Sequence, residues 1–157
     1  MKVLLVIDVQ KGFMIKDEYT SLNKKIEKFI SNNTYDKIIF TKYKNDINKN
    51  SLFQDKIGWK KLTTALEQEF SITPPTHAII FEKYGYGLNQ KDLDYIKSLN
   101  IKSIDICGLQ SEACVYAISL QIWDLNIYPN ILINYVAGDM PMKDVFIKQF
   151  GGVDEKL

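Results

Sequence analysis

Five short apolar runs rich in β-branched residues recur along the chain: Val3–Ile7, Lys37–Thr41, Ala78–Phe81, Ser103–Cys107 and Ile131–Tyr135. Near-continuous hydrophobic runs of this length suit strands buried on both faces. Between them the apolar positions take a helical spacing. Leu22, Ile26, Phe29 and Ile30 fall on one face of a helix predicted from Thr20 to Asn32. Trp59 to Phe70 reads as a second helix, ended before Pro74 and Pro75, and Leu93, Ile96 and Leu99 mark a third. Ser111 to Leu125 reads as a fourth, with Val115, Ile118, Ile122 and Leu125 on one stripe of an almost wholly apolar segment, and Asp144 to Phe150 as a short fifth. Strands alternating with helices predict a parallel sheet with right-handed crossovers. The expected fold class is therefore α/β: a three-layer, doubly wound parallel sheet of about five strands, in the order 3-2-1-4-5, with helices on both faces. The fourth helix, apolar nearly all round, is either a central core helix or a subunit interface, and a homo-oligomer is expected. Tyr43 to Gly58 is the longest irregular stretch, and connections of that length are often functional.

Composition narrows the function more than the fold. The chain has 157 residues, with no repeat and no low-complexity linker, and is expected to form one domain over residues 1–157. A net charge of +1 supplies no electrostatic footprint for nucleic acid or an anionic membrane surface. The apolar run in MKVLLVID stops at Asp8, short of the roughly 7–15 residues of a signal-peptide core. No stretch approaches the roughly 18 apolar residues of a membrane span. A cytoplasmic protein is expected. Cys107 and Cys114 do not make a disulfide framework, and with His77 the single histidine there is no zinc motif. No metal and no cofactor are expected. His77, after TPPT, reads as a surface residue.

Three polar residues stand out because of where the strands end. Asp8 closes the first strand in LLVIDVQ, Lys83 follows the third in IIFEKYGYG, and Cys114 opens the helix after the fourth in GLQSEACVYA. In an open parallel sheet, ligands bind outside the carboxyl ends of the strands where the strand order reverses. With the order 3-2-1-4-5 that point lies between strands 1 and 4, flanked by Asp8 and Cys114. Strand 3 lies roughly 10 Å from strand 1, a gap that a lysine stem largely covers. Singly, each has an ordinary reading: a turn-forming Asp, a solvated Lys, a small buried Cys. Cys107, inside its strand, fits that last reading well. Together the three suit nucleophilic catalysis. A helix N-terminus and a neighbouring ammonium favour the thiolate, so Cys114 is expected to titrate below a free thiol. Ser111 is the expected N-cap, and Asp8 is placed to take the thiol proton and return it to a leaving group.

On these residues the chain resembles the isochorismatase-like cysteine hydrolases, which include nicotinamidases, N-carbamoylsarcosine amidases and ureidoacrylate amidohydrolases. The resemblance runs from LLVIDVQKGF through IIFTK and FEKYGYG to ICGLQSEACVYA, most of the chain. It implies an Asp-Lys-Cys triad on Asp8, Lys83 and Cys114, a cis peptide between Leu109 and Gln110, and oxyanion donors at the backbone N–H groups of Gln110 and Cys114. It further implies hydrolysis of a small amide or ureido C–N bond through a thioester, with no nucleic-acid or membrane partner. Phe13 and Tyr86 are candidate substrate-binding residues, with Trp59 and Tyr84 as further candidate walls. Two departures from the family pattern matter. The Asp-x-His metal motif of nicotinamidases is replaced by TKYKNDINKN, which leaves Asp46 and Asp55 as a poor transition-metal set. Tyr-Ser-Ala-Phe after the lysine is replaced by Tyr86, Gly87, Leu88 and Asn89. Little chain follows ILINYVAGDM, so five strands are expected rather than six. Two other functions remain open: a non-catalytic binding or assembly module on the same fold, and metal-independent vinyl-ether hydrolysis of the isochorismatase type, against which Cys114 counts. The substrate is not legible.

Overall fold

The computed structural model of the protein describes residues 1–45 and 51–156. Five parallel strands, β1 (Val3–Ile7), β2 (Lys37–Tyr43), β3 (Ile79–Lys83), β4 (Ser103–Leu109) and β5 (Tyr128–Ala137), form one sheet in the order β3-β2-β1-β4-β5. β1 sits at the centre, with Leu4 opposite Ile38 of β2 and Asp105 of β4. Successive side chains on a strand point to opposite faces, so each apolar run feeds two cores. Leu4, Val6, Ile38 and Phe40 pack on one face with Tyr19, Leu22, Ile26 and Phe29 of helix α1 (Asp17–Asn32). Val3, Leu5, Ile7 and Ile39 pack on the other with helices α4 (Gln90–Ser98), α5 (Tyr116–Asp124) and α6 (Lys143–Phe150). Each fully buried aliphatic or Phe side chain in these layers contributes roughly 1.5–3 kcal/mol relative to exposure. The three-layer α/β architecture and the strand order are those predicted. The fourth predicted helix keeps its stripe, with Val115, Ile118 and Ile122 fully buried, while Leu120 and Trp123 on its other side are exposed.

Two predicted elements differ. The helix expected over Trp59–Phe70 is only a single turn, α3 (Ala65–Gln68), capped by Thr64, whose hydroxyl accepts from Glu67 N. The amide of Asn45 binds the carbonyls of Trp59 and Lys61 at 2.9 and 3.0 Å, which takes those groups out of any helical ladder. Leu62, buried, has φ +62, outside the right-handed helical region. The irregular stretch before it holds another short helix, α2 (Leu52–Asp55), capped by Ser51. At the other end of the sheet the tail adds one parallel bridge, Leu132 to Asp154, beside β5.

The centre of the sheet is tight where the site begins. Gly108 has φ +120, and a Cβ there would lie 2.1 Å from the carbonyl oxygen of Ile7. Only glycine allows β4 to run that close to β1, and the β4–β5 register shifts at the same place.

Candidate active site

Asp8, Lys83 and Cys114 converge at the carboxyl end of the sheet. Asp8 follows β1 with φ +51, a left-handed conformation that Asp tolerates better than most residues. Lys83 ends β3. Cys114 lies in the π-helical turn Ser111–Val115 that links β4 to α5. Lys83 Nζ is 2.9 Å from Asp8 Oδ2 and 3.2 Å from Cys114 Sγ, and it also donates to Gly85 O at 2.8 Å. Asp8 and Lys83 are 0% and 1% exposed, and Cys114 is 8% exposed. This is a desolvated ion pair with a thiol attached, in which removal of one partner typically costs about 3–5 kcal/mol.

Thr41, which the sequence reading passed over, completes the constellation. Its hydroxyl donates to Asp8 Oδ1 at 2.6 Å and accepts from Asp8 N at 3.0 Å. The signal was present in IIFTK, a polar residue near the end of a buried strand, the same pattern that singled out Asp8. With Oδ1 held by Thr41, Oδ2 makes no directed hydrogen bond beyond its ion pair. It is the oxygen left to receive a proton.

The expected acidification of Cys114 is not what the structure produces. Burial, then the negative charge of Asp8, push the thiol up to about 12, with Lys83 pulling the other way. Desolvation disfavours the thiolate more than one ammonium favours it, because that ammonium is shared with a carboxylate. Lys83 is pushed down by burial, but Asp8 and Cys114 outweigh this and hold its pKa above the ordinary value. At rest, then, Lys83 is held as the ammonium and Cys114 as the thiol. Nor is Ser111 the cap: Gln110 occupies that position without a side-chain cap bond, and Ser111 Oγ donates to Glu112. The Leu109–Gln110 peptide is cis, as the resemblance implies.

Cys114 opens into a cavity of about 680 Å³. Phe13, Tyr43, Phe53, Trp59 and Tyr86 form an aromatic wall, with Phe13 and Trp59 5.4 Å apart and Phe53 edge-on to Tyr86 at 4.8 Å. Gln110, Glu112 and Asp139 form a polar wall. Glu112 accepts from Asp139 N, and Asp139 is held by Tyr19 OH and by an ion pair with Lys16. Of the candidate wall residues, Phe13, Trp59 and Tyr86 line this cavity, whereas Tyr84 is not among its lining residues. Phe53 and Ile57 come from the irregular stretch that its length alone had marked. Glu112, Asp139 and Tyr43 had no sequence signal for this role. Cys107 is fully buried in the core and His77 is exposed.

At the end of β2, Lys44 pairs with Glu82 at 3.0 Å and Asn45 is spent on Trp59 and Lys61. Among the described residues no group of three or more His, Cys, Asp and Glu side chains could hold a metal ion, so the residues there do not fit one. Asp46 lies outside the described residues.

Comparison with known proteins bears on the fold and the family. No curated protein sequence matches the chain. Among solved structures it is similar to N-carbamoylsarcosine amidase from Thermoplasma acidophilum (19% identity, 100% of this chain and 99% of that one, TM-score 0.80). It is also similar to the pyrazinamidase of Pyrococcus horikoshii in complex with zinc (20%, 98% and 97%, 0.78). A third is a nicotinamidase from Bacillus subtilis (16%, 99% and 99%, 0.81). At these identities the likeness establishes the fold. The model of the isochorismatase domain matches residues 2–132, a span that takes in Asp8, Lys83 and Cys114, and the chain belongs to the isochorismatase domain family.

Proposed function

We propose that the protein is a cysteine hydrolase that cleaves a small amide or ureido C–N bond through a thioester, with residues 1–157 acting as one hydrolase domain. The observation that carries this reading is the single buried Lys83 ammonium between Asp8 and Cys114, of which Cys114 lines the cavity. Because the thiol rests protonated, proton transfer and attack are coupled. Asp8 takes the thiol proton as the Sγ–C bond forms, and charge moves onto the carbonyl oxygen. Backbone N–H groups of Gln110 and Cys114 receive that oxyanion, an arrangement typically worth a few kcal/mol per donor. Asp8 then delivers the proton to the leaving nitrogen as the C–N bond breaks. Water attacks the thioester with Asp8 as base, the acid is released, and the proton returns to Cys114. Lys83 offsets the negative charge that passes between Asp8 and sulfur.

The cavity wall supports an uncharged substrate. Its described lining residues include Glu112 and Asp139 and no lysine, arginine or histidine. An isochorismatase-type substrate or a ureido acid brings carboxylates, which Glu112 opposes, while the charge of Asp139 is offset by its pair with Lys16. The aromatic wall suits a flat group stacked or edge-on. A screen of neutral and carboxylate-bearing amides and ureides for ammonia or amine release tests the reading. Turnover of neutral amides by the wild type and none by Cys114→Ala is the expected result. Turnover that survives Cys114→Ala refutes it.

A further inference from the structure

The buried Lys83 ammonium has three protons to place. Asp8 Oδ2 lies at 2.9 Å, Cys114 Sγ at 3.2 Å and the Gly85 carbonyl at 2.8 Å, with Tyr86 O further off at 3.4 Å. A lysine ammonium turns freely on a flexible stem. Its N–H bonds are tetrahedral, so fixing one on Gly85 O limits where the other two point. Gly85 and Tyr86 belong to the loop between β3 and α4, and that loop is held from α5. Gln121 Oε1 accepts from Leu88 N at 2.8 Å, and Gln121 Nε2 donates to Leu88 O at 3.0 Å.

Gly87 makes this grip possible. A Cβ there would lie 2.8 Å from both Nε2 and Oε1 of Gln121. The φ of Gly87 is not positive, so the glycine provides space for the amide and not an unusual backbone. Gly87 and Leu88 are two of the positions at which the chain leaves the family pattern after the lysine, and the grip gives both a role. We propose that Gln121 is a positioning residue, whose hold on Leu88 sets the loop so that the Gly85 carbonyl keeps the Lys83 ammonium against Cys114. The proposal rests on the hydrolase reading, in which that ammonium supports the sulfur. It extends that reading to a residue that is not among those lining the cavity.

The test is iodoacetamide labelling of Cys114 from pH 7 to 10, resolved by peptide mass spectrometry. It compares the wild type with Gln121→Ala, Gly87→Ala and the double variant. Gln121→Ala removes the grip, and the new methyl of Gly87→Ala displaces the Gln121 amide. Losing one charge-assisted hydrogen bond lowers the thiolate population about tenfold to hundredfold, and the greater nucleophilicity of a more basic sulfur returns about the square root of that. Each single variant is therefore expected to label Cys114 about three- to tenfold more slowly. Both act through one grip, so the double variant is expected to match the singles rather than multiply them. The rate should still climb to pH 10, because the thiol stays above its ordinary 9.0, and buried Cys107 should remain unlabelled. Unchanged or faster labelling in either single variant, multiplied losses in the double, a plateau near pH 9, or labelling of Cys107 each overturns the proposal. Labelling needs no turnover, so a wild type that hydrolyses no amide counts against the hydrolase reading alone.

Discussion

Asp8→Asn should make Cys114 more reactive toward alkylation while stopping hydrolysis. Both groups are held by the same ammonium, at 2.9 and 3.2 Å, so they lie within about 6 Å of one another. At an effective dielectric of about 20, unit charges at that separation interact by about 3 kcal/mol, which is about two pKa units. Removing the carboxylate charge should therefore bring the thiol from about 12 to about 10, a hundredfold rise in thiolate at neutral pH. A thiolate of lower pKa is intrinsically less nucleophilic, with a Brønsted coefficient of about 0.4–0.5, and this removes about tenfold of the gain. The net expectation is roughly tenfold faster iodoacetamide labelling at pH 7.5. Hydrolysis should fall by about 10²–10⁴, the usual worth of a positioned acid–base group. The assay is site-resolved labelling read by peptide mass spectrometry. Cys107 is the internal control, since burial raises its pKa and it has no access to the cavity. Labelling of Cys114 in Asp8→Asn that is slower than in the wild type refutes the reasoning. It would mean that Lys83, deprived of Asp8, loses its proton and no longer supports the thiolate.

Lys83→Ala leaves Asp8 buried without its partner and should lower stability by about 3–5 kcal/mol, measured by urea unfolding at pH 7. Thr41→Val keeps the shape of the side chain but removes the donor to Asp8 Oδ1, and kcat should fall about tenfold with a stability loss of about 1–3 kcal/mol. Stability should also decline in alkali. Cys114 keeps its proton to about 12 when folded against an ordinary 9.0, so its stabilising contribution is complete below pH 9 and is lost as the pH rises toward 12. Cys107, also raised, acts in the same direction, and unfolding curves from pH 8 to 11 check the slope.

The apolar runs determined the strands because a strand buried on both faces has no polar position to spare. Val3–Ile7 folds as read, the run read over Ser103–Cys107 extends in the structure to Leu109, and the order 3-2-1-4-5, which was an expectation that crossover handedness alone does not fix, is the one observed. The same order made Asp8 and Cys114 neighbours on paper and put Lys83 within reach of them, and the family pattern falls on the same three residues. The helix expected over Trp59–Phe70 had the right spacing, but spacing cannot register that Asn45, fourteen residues before Trp59 in the chain, takes two of its carbonyls. The acidity of Cys114 was misjudged for a related reason. A helix start and a nearby lysine are visible in sequence, whereas the depth of burial and the sharing of Lys83 with Asp8 exist only in three dimensions. Glu112, Asp139 and Tyr43 are ordinary residues in their own segments. They acquire chemical meaning only when the folded chain brings β2, the turn after β4 and the segment after β5 around one cavity, because charge repulsion and hydrogen bonding depend on distance in space and not on position along the chain.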